Sequence, residues 1–247
     1  MTLIAGVKLP RGILLVSDTR ETIEESGEVL SDRRRKIIVI TRKFFLGLSG
    51  HEGADLASRI LRSALYNKEA KLGLTNDYVR ETTLKLFSSV NEVHQPNNLN
   101  GEPVGNLLGA EYDQDNDDFN LLYRFGGEGF NEFDVLNNVK DVMLVGATHE
   151  IQRQVSFSIK TLLNAVPDHV LNNPAFHVEL SREIQRYIKI VTENYTGVGE
   201  YMYCTYLCSV DKVPAHNVYL LKPDGTQIRT ILSDDSRYFK ELNNLVN

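Results

Sequence analysis

Met1-Thr2-Leu3-Ile4-Ala5-Gly6-Val7-Lys8-Leu9-Pro10-Arg11-Gly12-Ile13-Leu14-Leu15-Val16-Ser17-Asp18-Thr19-Arg20 opens the chain, with two apolar runs, Leu3–Leu9 and 13–17, on either side of a Pro-Arg-Gly turn. This pattern predicts a strand hairpin. The runs are nearly continuous in apolar residues, so the sheet that holds them is expected to be covered on both faces. Asp18 interrupts the strand end Leu14-Leu15-Val16-Ser17 and is therefore a candidate functional group. Thr2 stands at the tip of the hairpin. Removal of one initiator Met leaves it terminal, with a hydroxyl and a free α-amine on the same carbon. A terminal amine has an ordinary pKa of about 7.7–8, so a useful fraction is unprotonated near neutral pH and takes the hydroxyl proton directly or through water. Nucleophile and base then share one residue, and no His is required. No cationic region followed by an apolar segment opens the chain, and no leader is expected.

Bulk properties narrow the class. At 247 residues the chain is of a length common for one large sandwich, and no linker divides it, so a single domain over 1–247 is expected. A hydrophobic content of 42% and a charged content of 24% are those of an ordinary globular protein. The net charge of −6 leaves no unbalanced basic face and argues against nucleic acid as a partner. Arg33-Arg34-Arg35-Lys36 is the basic run of the sequence, and short runs of this kind are usually solvated turns. No stretch approaches the roughly 18–20 apolar residues of a membrane span, and a cytoplasmic location is expected. Cys204 and Cys208 fit a reducing compartment. Four residues apart, they lie on one face of a predicted strand over 201–210, too far apart along it to bridge, and no further ligand completes a metal set.

Further along, 21–31 reads as a small exposed ribbon about Ser26-Gly27, and Ile37–Thr41 and 44–48 as a second strand pair. After Gly50 the period becomes helical. Ala54, Ala57, Leu61, Ala64 and Leu65 share one face, and Val79, Thr83, Leu86, Phe87, Val90 and Val93 another, with Gly73-Leu74-Thr75-Asn76 as stop and cap between them. Residues 95–103, rich in Asn with two prolines, predict a surface loop. Strands are expected at 106–112 and 120–125. The intervening 113–118 is read as a polar hairpin turn, because the Gly and Glu of a calcium loop are replaced by Asp118 and Arg124. Two more strands over 132–136 and 141–146 lead into a helix on Ile151, Val155, Ile159, Leu162 and Leu163. A second helix uses Leu180, Ile184, Tyr187, Ile188 and Val191. Strands at 201–210, 217–221 and 227–231 and a terminal helix from Asp234 close the pattern. Helix pairs after runs of antiparallel strands define an α+β class, two sheets face to face with a helical pair outside each.

Thr2-x-x-x-Gly6-x-Lys8, the turn, Gly12-(apolar)₃-x-Ser17-Asp18-x-Arg20 and the later Lys36-Ile37 resemble the N-terminus of a proteasome-type β subunit, most closely the bacterial homologues. Such proteins are N-terminal nucleophile (Ntn) hydrolases with a four-layer αββα sandwich, and the resemblance extends to the order of nearly every element. It implies a threonine peptidase that hydrolyses peptide bonds through an ester on Thr2, needs no cofactor and assembles with itself in a ring. Polypeptides are the implied substrates, and an ATP-dependent unfoldase is left open as a partner. Lys36 matches the family lysine whose ammonium keeps the terminal amine unprotonated, and Asp18 the carboxylate that orients it. The segment between them is longer than the family usually has, and a one-residue slip gives the cationic role to Arg35. Gly47-Leu48-Ser49-Gly50 resembles the family's Gly-x-x-Gly and makes Gly50 the candidate oxyanion donor. Glu193-Asn194-Tyr195-Thr196-Gly197 resembles Asp-x-x-Ser-Gly, which assigns Glu193 and Thr196 to support of the amine. Ala147 stands where the family has a serine, with Thr148 beside it as a substitute. This departure also fits a catalytically silent assembly subunit, and an Ntn amidase acting on a small molecule shares the nucleophile. Glu21 and Glu52, with Arg34, are candidates to line a substrate pocket.

Overall fold

A computed structural model of the protein describes residues 2–23 and 26–229. In chain order it contains β1 (Leu3–Leu9), β2 (Gly12–Asp18), β3 (Glu21–Thr22), β4 (Val29–Ser31), β5 (Ile37–Thr41) and β6 (Phe44–Gly50). Helices α1 (Glu52–Leu72) and α2 (Asn76–Asn97) follow, then β7 (Gly105–Asp113), β8 (Asp118–Arg124), β9 (Asp134–Leu136) and β10 (Val142–Gly146). The described chain ends with α3 (His149–Ala165), α4 (Asp168–Leu171), α5 (Phe176–Val191), β11 (Met202–Val210), β12 (Val213–Leu221) and β13 (Gln227–Arg229). The terminal helix predicted from Asp234 and the last residues of the strand predicted over 227–231 lie outside the described residues.

The opening hairpin sits in the middle of a six-stranded antiparallel sheet of order β10-β1-β2-β11-β12-β13, and β5 to β9 form a five-stranded antiparallel sheet in sequence order. Every residue of β1 and β2 is buried, as continuous apolar runs require. Side chains alternate across a strand, so the two faces separate cleanly. Leu3, Ala5, Val7, Leu14 and Val16 pack with Val155, Ile159, Leu180 and Ile184 of α3 and α5. Ile4, Ile13 and Leu15 face the other way, onto Ile37, Val39, Phe45 and Leu108 of the second sheet. The outer face of that sheet, with Ile38, Ile40, Phe44 and Leu46, is covered by Ala57, Leu61 and Leu65 of α1 and Val79 and Phe87 of α2. The result is an α+β sandwich of antiparallel sheets. At Gly6 the two sheets come close enough that a Cβ would lie 2.7 Å from Leu121.

Several local signals act as read. Gly73 ends α1 in the left-handed region at φ 65°, its N–H donating to the Glu69 carbonyl, and Thr75 caps α2 by accepting from the Tyr78 N–H. The polar turn at 113–118 joins β7 to β8. Two expectations fail. Helix α2 runs through Pro96 to Asn97, where a loop from residue 95 is predicted. Proline there removes one donor of the last turn only, and the Asn97 side-chain amide adds a bond to the Val93 carbonyl in the same turn. Val93, expected on the buried face, is 68% exposed. The one-turn α4, between the two predicted C-terminal helices, had no periodic signal of its own. Among the described residues no helix is long and apolar enough to cross a membrane.

Candidate functional site

The ends of β1, β2, β6 and β10 and the start of β5 border a cavity of about 810 Å³ whose lining includes Thr2, Lys36, Ser49, Gly50, Ala147 and Thr196. Thr2 is held by its neighbours. The Leu3 N–H donates to Asp18 Oδ1 at 2.9 Å, and β1 pairs Leu3 with Gly146 of β10. Gly146 adopts φ 82° with its Cα against the Thr2 carbonyl, so close that a Cβ would lie 2.0 Å from that oxygen. Only glycine meets both demands there.

Asp18 is fully buried and saturated with donors. It accepts from Lys36 Nζ at 2.9 Å on both oxygens, and from the N–H groups of Leu3, Arg20 and Gly199 at 2.9, 3.1 and 3.2 Å. One carboxylate therefore ties the strand carrying Thr2 to the loop before β11. Burial pushes the Lys36 ammonium below the ordinary lysine range, and Asp18 pulls it back up. The register is thereby decided: Lys36, not Arg35, meets Asp18.

Arg35 corrects another expectation. It is 3% exposed rather than part of a solvated turn, donates from Nε to the Ile37 carbonyl at 3.0 Å and stacks 5.1 Å from the Tyr203 ring centroid. The alternation at the mouth of β5 sends Lys36 toward Asp18 and Arg35 toward Tyr203. Arg34 bridges Glu21 at 2.6 Å and Asp55 at 3.0 Å on the cavity wall, which neutralises Glu21. Glu52 also lines this wall, so the predicted pocket residues do meet.

Gly50 closes β6 at φ 138°, where a Cβ would lie 2.4 Å from the Gly105 Cα, and its backbone borders the cavity. Thr196 lines the cavity too, and its carbonyl accepts from Arg20 Nη1 at 3.0 Å. Glu193 does not join them. It is exposed on the turn that follows α5 and is absent from the lining, because the chain folds back there through a Tyr195 N–H to Thr192 carbonyl bond. Thr148 is not a substitute serine either: its hydroxyl is the N-cap of α3, accepting from the Ile151 N–H at 3.3 Å. Ala147, at φ 49°, lines the cavity without a hydroxyl.

Sequence reasoning missed a hydroxyl that does reach the cavity. Ser49, 3% exposed, lies between Leu48 and Gly50, and its Oγ accepts from Asn106 Nδ2 at 3.4 Å. Ser49 is a variable position between the glycines of Gly47-Leu48-Ser49-Gly50, and Asn106 carries no signal beyond its place at a strand start. Cys204 and Cys208 are free thiols pushed upward in pKa by burial, as expected of core residues. Among the described residues no group of three or more His, Cys, Asp or Glu is set to hold a metal ion. No family model and no curated protein matches the chain.

Proposed function

We propose that the protein is an N-terminal threonine peptidase of the proteasome-like Ntn hydrolase class, acting after removal of Met1. The observation that carries this reading is the fully buried Asp18–Lys36 pair beside a cavity that Thr2 lines, with Asp18 itself bonded to the residue after Thr2. Where the terminal amine is itself the base, such a local cation serves it: it disfavours protonation of the Thr2 amine, which is then free to take the hydroxyl proton.

In the proposed cycle the amine, directly or through a water, accepts the Oγ proton as Oγ attacks the scissile carbonyl carbon. The carbonyl oxygen becomes an oxyanion opposite the Gly50 N–H. Loss of one such donor costs about 2.7–4 kcal/mol of transition-state stabilisation in related sites. The C–N bond then breaks, the leaving amine takes the proton from the Thr2 ammonium, and an ester remains. Water, deprotonated by the same amine, hydrolyses it and restores the hydroxyl. Thr196 and Ser49 line the same cavity, with Thr22 and Tyr195, and are proposed as the hydroxyls that hold the amine. The reading extends to a cytoplasmic homo-oligomer, a ring by resemblance, that takes polypeptide substrates, with an ATP-dependent unfoldase as an open partner.

The test is intact mass followed by labelling. The mature protein should be lighter by one Met, and an electrophile directed at N-terminal threonine should add once, at Thr2. Thr2→Ala should lose labelling and peptide turnover while melting within about 2 °C of wild type, since a partly exposed residue is being trimmed. Active protein that retains Met1, or equal turnover in the variant, would sink the proposal and favour a silent assembly subunit.

A further inference from the structure

A second cavity, of about 1040 Å³, lies at the C-terminal end of α2. It shares two lining residues, Ile23 and His51, with the cavity that Thr2 borders, so the two meet along one wall. Beyond that wall the surface is open, with apolar side chains set among Ser89, Asn97, Asn98 and Asn100. Val93 is 68% exposed and Leu99 is 99% exposed, and both line the second cavity with the half-buried Val90. Val90 and Val93 lie on α2, and Leu99 follows Asn98, whose extended backbone at φ −84° and ψ 129° ends the helix.

A polar ridge divides the cavities. The His51 and His94 rings lie 4.4 Å apart, and Asn98 Nδ2 sits 3.4 and 3.5 Å from their Nε2 atoms. Glu102, a lining residue of the first cavity, approaches His51 Nε2 at 3.8 Å. The ridge therefore sets polar groups, bonded to one another, next to exposed apolar side chains, and an extended peptide that exchanges some of those bonds would use both, for its main chain and an alternate side chain.

Size favours a chain over a small molecule. Ligand pockets commonly measure about 300–1,000 Å³; each cavity alone reaches that range, and the two taken together exceed it, which suits a chain. We infer that the second cavity holds the continuation of a polypeptide substrate whose scissile bond lies at Thr2, and that it takes a large apolar side chain, of Leu or Phe size, against Val93 and Leu99. This rests on the peptidase reading above and adds a specificity-determining subsite to it. A patch of this kind discriminates an apolar from a small polar side chain by about 10-fold or more.

Binding and turnover separate the two claims. Fluorescein-labelled decapeptides, identical except for one Leu or Ser moved along the sequence, would be titrated against the Thr2→Ala protein by anisotropy. At one position Leu should bind about 10-fold more tightly than Ser, and Val93→Asp with Leu99→Asp should erase the difference. Both side chains are exposed, so the fold should survive, which circular dichroism would verify. If no position discriminates, or the double substitution leaves the preference intact, the inference is overturned. If wild type cleaves short peptides without such a preference, the peptidase reading stands and the subsite falls. If apolar-dependent binding appears without labelling or turnover at Thr2, the cavity is a peptide site and the peptidase reading falls.

Discussion

Lys36→Ala removes the cation from a pair in which neither partner reaches solvent, since the Asp18 side chain is 0% exposed and that of Lys36 is 6% exposed. Deleting one member of such a pair costs about 3–5 kcal/mol, because the remaining charge stays buried. The lower end, about 3 kcal/mol, is expected here, as Asp18 keeps three backbone donors, from Leu3, Arg20 and Gly199. At about 2–4 °C per kcal/mol for a chain of this size, the melting temperature should fall by roughly 6–12 °C. Calorimetry and urea unfolding give the loss, and labelling at Thr2 should fall with it, since the amine then protonates more readily. Asp18→Asn supplies the sign. It removes the charge that raises the Lys36 pKa while burial, which lowers it, remains. A base whose folded pKa lies below its unfolded value, about 10.4 for lysine, loses stability as pH falls, because the unfolded chain binds more protons. The Asp18→Asn protein should therefore stand closest to wild type near pH 9 and lose ground steadily toward pH 6. A Lys36→Ala protein within about 1 kcal/mol of wild type, or an Asp18→Asn protein that gains ground toward pH 6, would refute a buried, charged pair.

Arg35→Ala should cost about 2–4 kcal/mol in urea unfolding, from a lost charged hydrogen bond and a desolvated cation–π contact, while labelling at Thr2 persists in the folded fraction. Gly146→Ala should displace the Thr2 carbonyl, and labelling at Thr2 measured by mass should drop at least about 10-fold; undiminished labelling would show that the close approach does not govern Thr2. His177 donates from Nδ1 to the Pro174 carbonyl, accepts at Nε2 from Asn217, and burial lowers its pKa from 6.5. Its stabilising contribution is complete above pH 6.5 and is lost as pH falls below it, so unfolding free energy should drop from pH 7 to 5 with a shallower slope in His177→Phe.

Much of the architecture lies in local pattern. Continuous apolar runs at Leu3–Leu9 and Ile37–Thr41 specify strands covered on both faces, and Gly73 with Thr75 specifies where one helix stops and the next begins. These are properties of neighbours in sequence, so the sequence carries them. The Asp interrupting a strand end and the Lys before another were also visible as candidates. What joined them was the tertiary structure. Four consecutive cations at 33–36 have the same composition whichever one turns inward. Packing of the two sheets seats Lys36 on Asp18, 18 positions away, and Arg35 on Tyr203. In the same way a Glu that matches a motif is left outside the cavity by a turn, a Thr beside a missing serine is consumed as a helix cap, and Ser49 reaches the cavity unannounced. Residue type and spacing determine which groups are chemically able to act. Which of them share one low-dielectric space is decided only when long-range contacts close, because a charge or hydroxyl has its altered chemistry only among the groups that surround it after folding.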